Sequence, residues 1–554
     1  MSKMSAVVKE EREKKVKKAV TNFMDGISYE LNPLETMKMV TASSIFGEPQ
    51  YYRDGEFAEK GVNKDAKFFV SKAFSDYALL DVDTFKGMKT SEVMELVIDN
   101  ALKYDYENTI KYAVTLRKEF LMRLNPQIIM VRAACMTDER KKFTENNPGV
   151  FNEINMQVMQ RADDVISQIT YYVFKNKDKA KIPNILKKSW AKKIESLSPY
   201  EVYKYRNKGI GLIDSVRICH ANNVTVDELM RTGTVEMSEN NKTWETLRAS
   251  GMEWSDILDT IKIGHMALLR NLRGIFSEID DMAKVDEILD KLKSGVKKGK
   301  QFPYRYLSAS NAVKSATNVD TVVKGKVLDS LEDCMDIACD CLPKLKGTNA
   351  FLSDNSGSAW GACPSEYGTM TVAKIGNLSS VIGAVNSDNG VVIKFGDKMK
   401  EFAISKRTGI LKQAEDMSKN KYSDVGGSTE CGIWLFFDKA IENKIHYDNI
   451  FIYSDMQAGH GELYGTNKEL EKYKSKGFNI NYRYIDVAKL ISVYRQKVNP
   501  KVNVYCVQTA GYSNVAVPEN GYRTNILYGW TGKELVYADA MNKFWDEYDK
   551  NHGN

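Results

Sequence analysis

Histidine and cysteine are scarce in this chain, at five and eight of 554 residues. The cysteines are scattered, only Cys339 and Cys341 lie close together, and no Cys-x-x-Cys pair occurs. This excludes a Cys/His zinc site or a disulfide framework as the organising feature and fits a reducing cytoplasm. No apolar run approaches the roughly 18 residues a membrane-spanning helix needs. Met1–Val20 lacks the apolar core of a signal peptide and is rich in Lys and Glu instead, so no membrane partner is expected. Charge of one sign is also lacking: the net charge is +6, so any nucleic-acid surface has to be a local patch.

Hydrophobic residues make up 43% and charged residues 27% of the chain, the composition of a folded protein too long for one core. Residues 1–20 read as a charged tail or frayed helix. From about 22 to 342 the spacing of apolar residues is helical, as in Thr90–Lys103, Glu107–Leu124, Asn152–Phe174 and Thr243–Leu258. Breakers such as Asn125-Pro126 and Asn147-Pro148-Gly149 separate these segments, which predicts stacked antiparallel helix pairs. Lys293–Pro303 reads as a basic connecting loop. Near 345 the texture changes to short strand-like runs at 349–353, 391–395, 449–454, 503–508 and 535–538, with helical stretches Thr371–Val385 and Glu430–Asn443 between them. The expected architecture is therefore a helical module over 21–343, an α/β domain with a mostly parallel sheet over 344–545, and a short tail over 546–554.

The stretch that follows the first of these strands is Asp354-Asn355-Ser356-Gly357-Ser358. One carboxylate and two hydroxyls at alternate positions of a tight loop are hard oxygen donors, suited to a small divalent cation such as Mg²⁺. Two further strand-end loops carry matching groups: Gly426-Gly427-Ser428-Thr429-Glu430, and Asp455 after the strand at 449–454. Ligands of parallel sheets bind at the carboxyl ends of the strands, where all three loops belong. Asp354, Ser356, Ser358, Thr429 and Asp455 together resemble the metal-ion-dependent adhesion site of von Willebrand factor A domains. In that family the set binds one divalent cation, whose open position takes a partner's carboxylate. Ser428 intervenes between the Gly-Gly turn and Thr429, so either can be the second-loop ligand. No histidine or lysine is spaced to act as a base for Ser356 or Ser358, so no enzyme is expected.

The helical half carries its cations in one region. Lys187 and Lys188 precede the Pro199 break; Lys204, Arg206 and Lys208 follow it, interleaved with Tyr203 and Tyr205. Arg217 and His220 come next, three residues apart as on one helical face. Cations among aromatics suit a phosphate backbone with unpaired bases, while a solvated helix face over core tyrosines gives the same pattern. The segments SYELNPLETM (28–37), YAVTLRKE (112–119), IPNILKK (182–188), MALLRNLRGI (266–275) and FPYRYLSASNAV (302–313), ahead of the α/β domain, resemble the TROVE module of the Ro autoantigen family.

This resemblance implies an α-helical HEAT-like repeat ring followed by a doubly wound von Willebrand factor A domain. It implies a monomeric, non-catalytic RNA-binding protein of noncoding-RNA quality control. In the family, a small Y RNA lies on the outer surface and single-stranded 3′ ends of misfolded RNAs enter a central hole, and bacterial relatives cooperate with a 3′ exoribonuclease. By position, Lys204, Lys208 and His220 fall at the Y RNA contacts, with Arg206 and Arg217 as neighbours; Lys208 stands where the family has Arg. The competing reading is a metal-dependent protein-interaction scaffold with no direct RNA role.

Overall fold

A computed structural model describes residues 19–21, 27–30, 32–34, 37, 38, 41, 90–119, 122–176, 181–207, 210–235, 243–301, 303–361, 371–427, 430–455, 487–509, 514, 515, 523–528, 532 and 534–552. It forms two compact units, one of residues 32–48 and 89–262, the other of residues 1–31, 49–88 and 263–554. The division falls inside the helical run, so the last helices before the sheet belong to the same unit as the sheet.

The first unit is helical: α1 Thr90–Tyr104, α2 Tyr106–Lys118, α3 Asn125–Cys135, α4 Thr137–Asn146, α5 Val150–Val158, α6 Ala162–Lys175, α7 Asn184–Glu195, α8 Pro199–Tyr205, α9 Leu212–Cys219, α10 Val224–Thr232, α11 Trp244–Ala249 and α12 Trp254–Thr260. Several sequence breakers are helix starts. Pro126 occupies the first turn of α3, where its missing N–H costs no hydrogen bond. Two expected single helices are broken. Thr243–Leu258 divides into α11 and α12, with Gly251 between them at φ +88°, a conformation open to glycine without a Cβ clash. Asn152–Phe174 divides into α5 and α6, because Asp164 turns back to accept the Arg161 backbone N–H at 2.9 Å and pairs with Arg117 of α2 at 2.9 Å. That partner lies far away in the chain, so periodicity alone could not reveal the break.

A polar cluster lies buried within the apolar core of this unit. The Gln168 amide of α6 donates to Gln127 of α3 and to Asn155 of α5, each at 2.8 Å. Its oxygen accepts from Asn155 at 3.3 Å and from the Trp190 indole of α7 at 2.8 Å. All four side chains are buried, and every hydrogen-bonding position of the Gln168 amide is filled. Four helices are thereby held in one register, since a slipped helix would leave buried amides unpaired.

The second unit continues with α13 His265–Ile275, α14 Met282–Gly299, α15 Pro303–Lys314 and α16 Thr321–Asp340. Lys293–Gly299 is thus the end of α14 and not a loop. Leu292 and Val296 are buried on one face, and the two helical glycines give room to a ring: a Cβ on Gly295 or Gly299 would come within 2.9 or 2.4 Å of His265. The His265 ring nitrogens meet the Leu292 carbonyl at 2.9 Å and the Tyr306 hydroxyl at 3.0 Å.

Strands β1 Ala19–Thr21 and β2 Ile27–Glu30 precede these helices in sequence, and β2 pairs with β8 Asn514–Val515. The main sheet consists of β3 Leu345–Asp354, β4 Ser387–Phe395, β5 Met399–Phe402, β6 Asn449–Ser454, β7 Asn503–Gln508 and β9 Thr524–Tyr528, in the order β5-β4-β3-β6-β7-β9. All neighbours are parallel except β5, an antiparallel edge of four residues. The expected strand at 535–538 is instead part of the terminal helix α22 Glu534–His552, with Leu535 and Ala538 buried three residues apart.

Alternation along β3 separates the faces. Ala350 and Leu352 join a core with Trp434 and Phe437 of α20 Glu430–Glu442 and Leu490 and Tyr494 of α21 Val487–Lys497. On the other face Phe351, Phe451 and Tyr505 stack across three strands with centroids 4.9 and 4.6 Å apart. There α18 Val372–Val385, which comes between α17 Gly357–Gly361 and α19 Ile410–Ser418 in the chain, lies so close that a Cβ on Gly383 would fall 2.2 Å from the Phe351 ring. Helices on both faces make the sheet doubly wound, and its strand order reverses direction at β3.

Replacing Gln168 with Leu removes four hydrogen bonds and strands three buried partners, at about 1–3 kcal/mol per unsatisfied group. The Gln168→Leu chain should lose 3 kcal/mol or more of unfolding free energy in urea (order of magnitude). A loss below about 1 kcal/mol would show that the network does not hold the unit together.

Candidate metal centre and nucleic-acid interface

Asp354 is the last residue of β3, at the point where the strand order reverses, which is where doubly wound sheets leave a crevice for ligands. The register of β3 against β6 sets Ser353 beside Tyr453, so the residues after both strands emerge together. The Asp354 carboxylate accepts the Ser356 backbone N–H at 2.9 Å and the Ser454 hydroxyl at 2.6 Å. Ser356 Oγ lies 3.2 Å from Ser358 Oγ. Asp354, Ser356 and Asp455 are each at most 1% exposed, while Ser358 faces solvent. The oxygen set is therefore closed on the protein side and open beyond Ser358.

The second loop meets the first directly. Gly357 N–H donates to the Gly427 carbonyl at 2.7 Å, and Gly426 takes φ +89° where a Cβ would strike Asp397. Ser428 and Thr429, which follow Gly427, lie outside the described residues. Of the expected donors, Asp354, Ser356, Ser358 and Asp455 come together at the carboxyl end of the sheet.

Burial in this setting, reinforced by the like charge of Asp455, pushes the Asp354 carboxyl up to about 7. Two carboxylates and two hydroxyls converge here, and a positive charge among them would offset the cost that burial, and secondly the Asp455 charge, place on the Asp354 carboxylate. The residues present fit a hard, oxygen-seeking ion.

Sequence reasoning missed the support beneath the loop. Asn355 and Asn377 of α18 form a reciprocal amide pair at 2.8 and 3.1 Å; Asn377 also accepts from Ser353 at 2.7 Å and donates to Ser418 at 3.0 Å. A lone Asn inside a helix gives no local signal of that role. His446 precedes β6 and so lies at the opposite, amino edge of the sheet, roughly 20 Å of strand from Asp455. His460 lies outside the described residues.

In the helical unit the expected cations divide into separate groups. Helix α8 starts at a capping box, Ser198 with Glu201. It sets the exposed Lys204 ammonium 5.8 and 5.7 Å from the Tyr200 and Tyr205 ring centres, and Arg206 4.2 Å from Tyr203. Arg161, unmarked in the sequence, fixes the Tyr205 hydroxyl at 2.9 Å. A cleft of about 610 Å³ adjoins, lined by Arg206, Asn207 and Asp214 among others. Arg217 is 69% exposed, with only a long 3.6 Å contact to Asp214.

His220 is not on a helical face with Arg217. It caps α9 in the left-handed conformation, φ 57°, which turns its side chain away from the helical progression. Lys187 and Lys188 also part. Lys187 lies near Cys219 of α9, whereas Lys188 borders the turn between α4 and α5. Lys208 lies outside the described residues.

Residues 228–331 match the model of the TROVE domain, a stretch shorter than the module read from the sequence. The structure is similar to the crystal structure of the Deinococcus radiodurans Ro (RSR) protein, with a TM-score of 0.55 at 13% identity over 81% of this chain and 93% of that one. No curated protein matches by sequence. The helical N-terminal region followed by a mixed-sheet domain is thus a Ro-like fold.

The raised Asp354 pKa predicts a pH dependence. The folded state holds a proton that the unfolded chain releases near 3.8, so this group's contribution is complete below that value and is lost as pH rises towards 7. In EDTA, stability should fall by up to about 1.4 kcal/mol per pH unit in this window. Asp354→Asn should flatten that slope, as measured by urea unfolding; an identical slope in the variant would place the titration elsewhere.

Proposed function

We propose that this chain, with its TROVE domain match and its Ro-like fold, is an RNA-binding protein and not an enzyme. The observation that carries this reading is the surface of α8, where Lys204 and Arg206 stand over half-buried tyrosine rings, with the exposed Arg217 on the following helix α9. Cations neutralise phosphates while neighbouring aromatic rings offer stacking surface to unpaired bases, and the Lys204 and Arg206 side chains lie against tyrosine rings. The finer reading is a cytoplasmic, monomeric protein of noncoding-RNA quality control. It holds a small Y-like RNA on the outer helical surface, admits single-stranded 3′ ends of misfolded RNA at its centre, and hands them to a 3′ exoribonuclease.

The α/β domain adds a site for one divalent cation, Mg²⁺ in this proposal, held by Asp354, Ser356, Ser358 and Asp455, with Ser428 or Thr429 as the second-loop donor. When bound, the ion supplies an electrophilic position towards the open side at Ser358, suited to an acidic partner group. That openness also favours the second reading, a metal-dependent interaction scaffold.

Native purification separates the two readings: stoichiometric RNA, seen as a high 260/280 nm ratio and identified by sequencing, supports the first, and its absence supports the scaffold. Joint charge reversal (Lys204→Glu, Lys208→Glu, Arg217→Glu) should weaken binding of a structured RNA with a 3′ tail at least tenfold, on the order of the loss of several phosphate contacts. An unchanged gel shift would remove this surface from the reading. At neutral pH, millimolar Mg²⁺ should raise the melting midpoint of the wild type and not of Asp354→Asn; equal responses would eliminate the metal assignment.

A further inference from the structure

The helical unit contains a second cleft, of about 390 Å³, between the turn joining α4 to α5 and the start of α7. Three cations line it, Arg140 and Lys141 from α4 and Lys188 from α7, and among the described residues no carboxylate does. Lys141 and Lys188 are exposed and stand in no ion pair among the described residues. Arg140 differs from both: its guanidinium is anchored by donation to the Ala134 carbonyl, which fixes one edge of the fork. A positioned guanidinium flanked by two exposed ammonium groups makes a cationic pocket.

The uncharged lining is of the same kind. Asn152, also in the lining, receives the hydroxyl of the buried Ser189 on its oxygen at 2.9 Å, so its amide nitrogen is the donor end of that group. Asn152 lies in the first turn of α5, and Asn184 opens α7; neither helix has a side-chain cap. First-turn N–H groups have no acceptor within their own helix. The one acid in the first turn of α5, Glu153, is not part of the lining. Guanidinium, ammonium and amide side chains thus share this cleft, with no acid among its described lining residues.

We propose that this cleft is an oxyanion site holding one phosphate group of a bound RNA strand, separate from the α8–α9 surface. The proposal rests on the RNA-binding reading. The open form of the cleft suits a phosphodiester in a passing chain, which a closed pocket would exclude. The same chemistry would accept free phosphate, so the test has an arm for each source.

The full chain carrying Lys141→Ala and Lys188→Ala, two exposed substitutions that leave the core untouched, is compared with the wild type after circular dichroism confirms equal helicity. Binding of a structured RNA with a single-stranded 3′ tail is measured across a salt series. Loss of one phosphate contact should lower affinity about tenfold and reduce the slope of log K against log salt by roughly one. In parallel, line broadening of inorganic phosphate is followed by ³¹P NMR. Phosphate broadening abolished by the substitutions, with RNA binding unchanged, sustains the oxyanion site but assigns it to free phosphate. Unchanged affinity, slope and broadening overturn the proposal. Should the wild type bind no RNA, the RNA reading fails on its own and the phosphate arm alone decides: broadening lost in the variant sustains the site, and no broadening in the wild type overturns it.

Discussion

Two carboxylates held next to each other out of water are the condition around which the α/β domain is arranged. Asp354 and Asp455 are each 1% exposed at the ends of adjacent strands, and like charges so placed repel unless one is protonated or a cation intervenes. The surroundings cannot relax to relieve that repulsion. The Phe351, Phe451 and Tyr505 stack fixes the strands from one face and the α20–α21 core from the other. The Asn355–Asn377 pair pins the loop, and Gly357 is tied to Gly427. The proposed cation would meet a site whose loops are already fixed by these contacts.

The helical unit obtains its specificity by other means. Apolar burial holds the helices together, but apolar contacts tolerate sliding; the Gln127, Asn155, Gln168 and Trp190 amide cluster does not. Arg117 and Asp164 add a buried ion pair that also ends one helix and begins the next. Removing either partner alone would leave an uncompensated charge, so the pair is a constraint on sequence more than a source of stability. On the surface the pattern is reversed: Lys204, Lys188 and Arg217 are only loosely held, which keeps them available.

What the sequence makes legible follows from the range of the causes. Asp354, Ser356, Ser358 and Asp455 could be read because each follows a strand with a strong local pattern, and parallel topology brings strand ends together. Helices α1, α18 and α20 were readable from apolar spacing. The α5–α6 break was not, because its cause is Arg117 more than forty residues upstream. The helical course of Lys293–Gly299 was hidden by glycines that serve the His265 ring. Asn377 and Arg161 left no trace, since a polar residue inside a helix or just before one is ordinary until its partner is known. Lys187 and Lys188 looked like one cationic pair, yet adjacent residues on a helix point about 100° apart, and here they serve different neighbourhoods.

The short antiparallel strand β5 has a consequence for the chain in a crowded cell. A parallel sheet ending in a long apolar strand would offer a row of unpaired backbone groups to any extended segment nearby. Here the last strand has four residues, Met399-Lys400-Glu401-Phe402, with its two central charges exposed. Lys400 reaches Asp424 at 3.2 Å, joining an ammonium from the neighbouring strand, Lys394, on the same carboxylate. An incoming strand would have to desolvate these charges for little pairing in return. That border of the sheet is thus guarded against the cross-strand recruitment that starts aggregation.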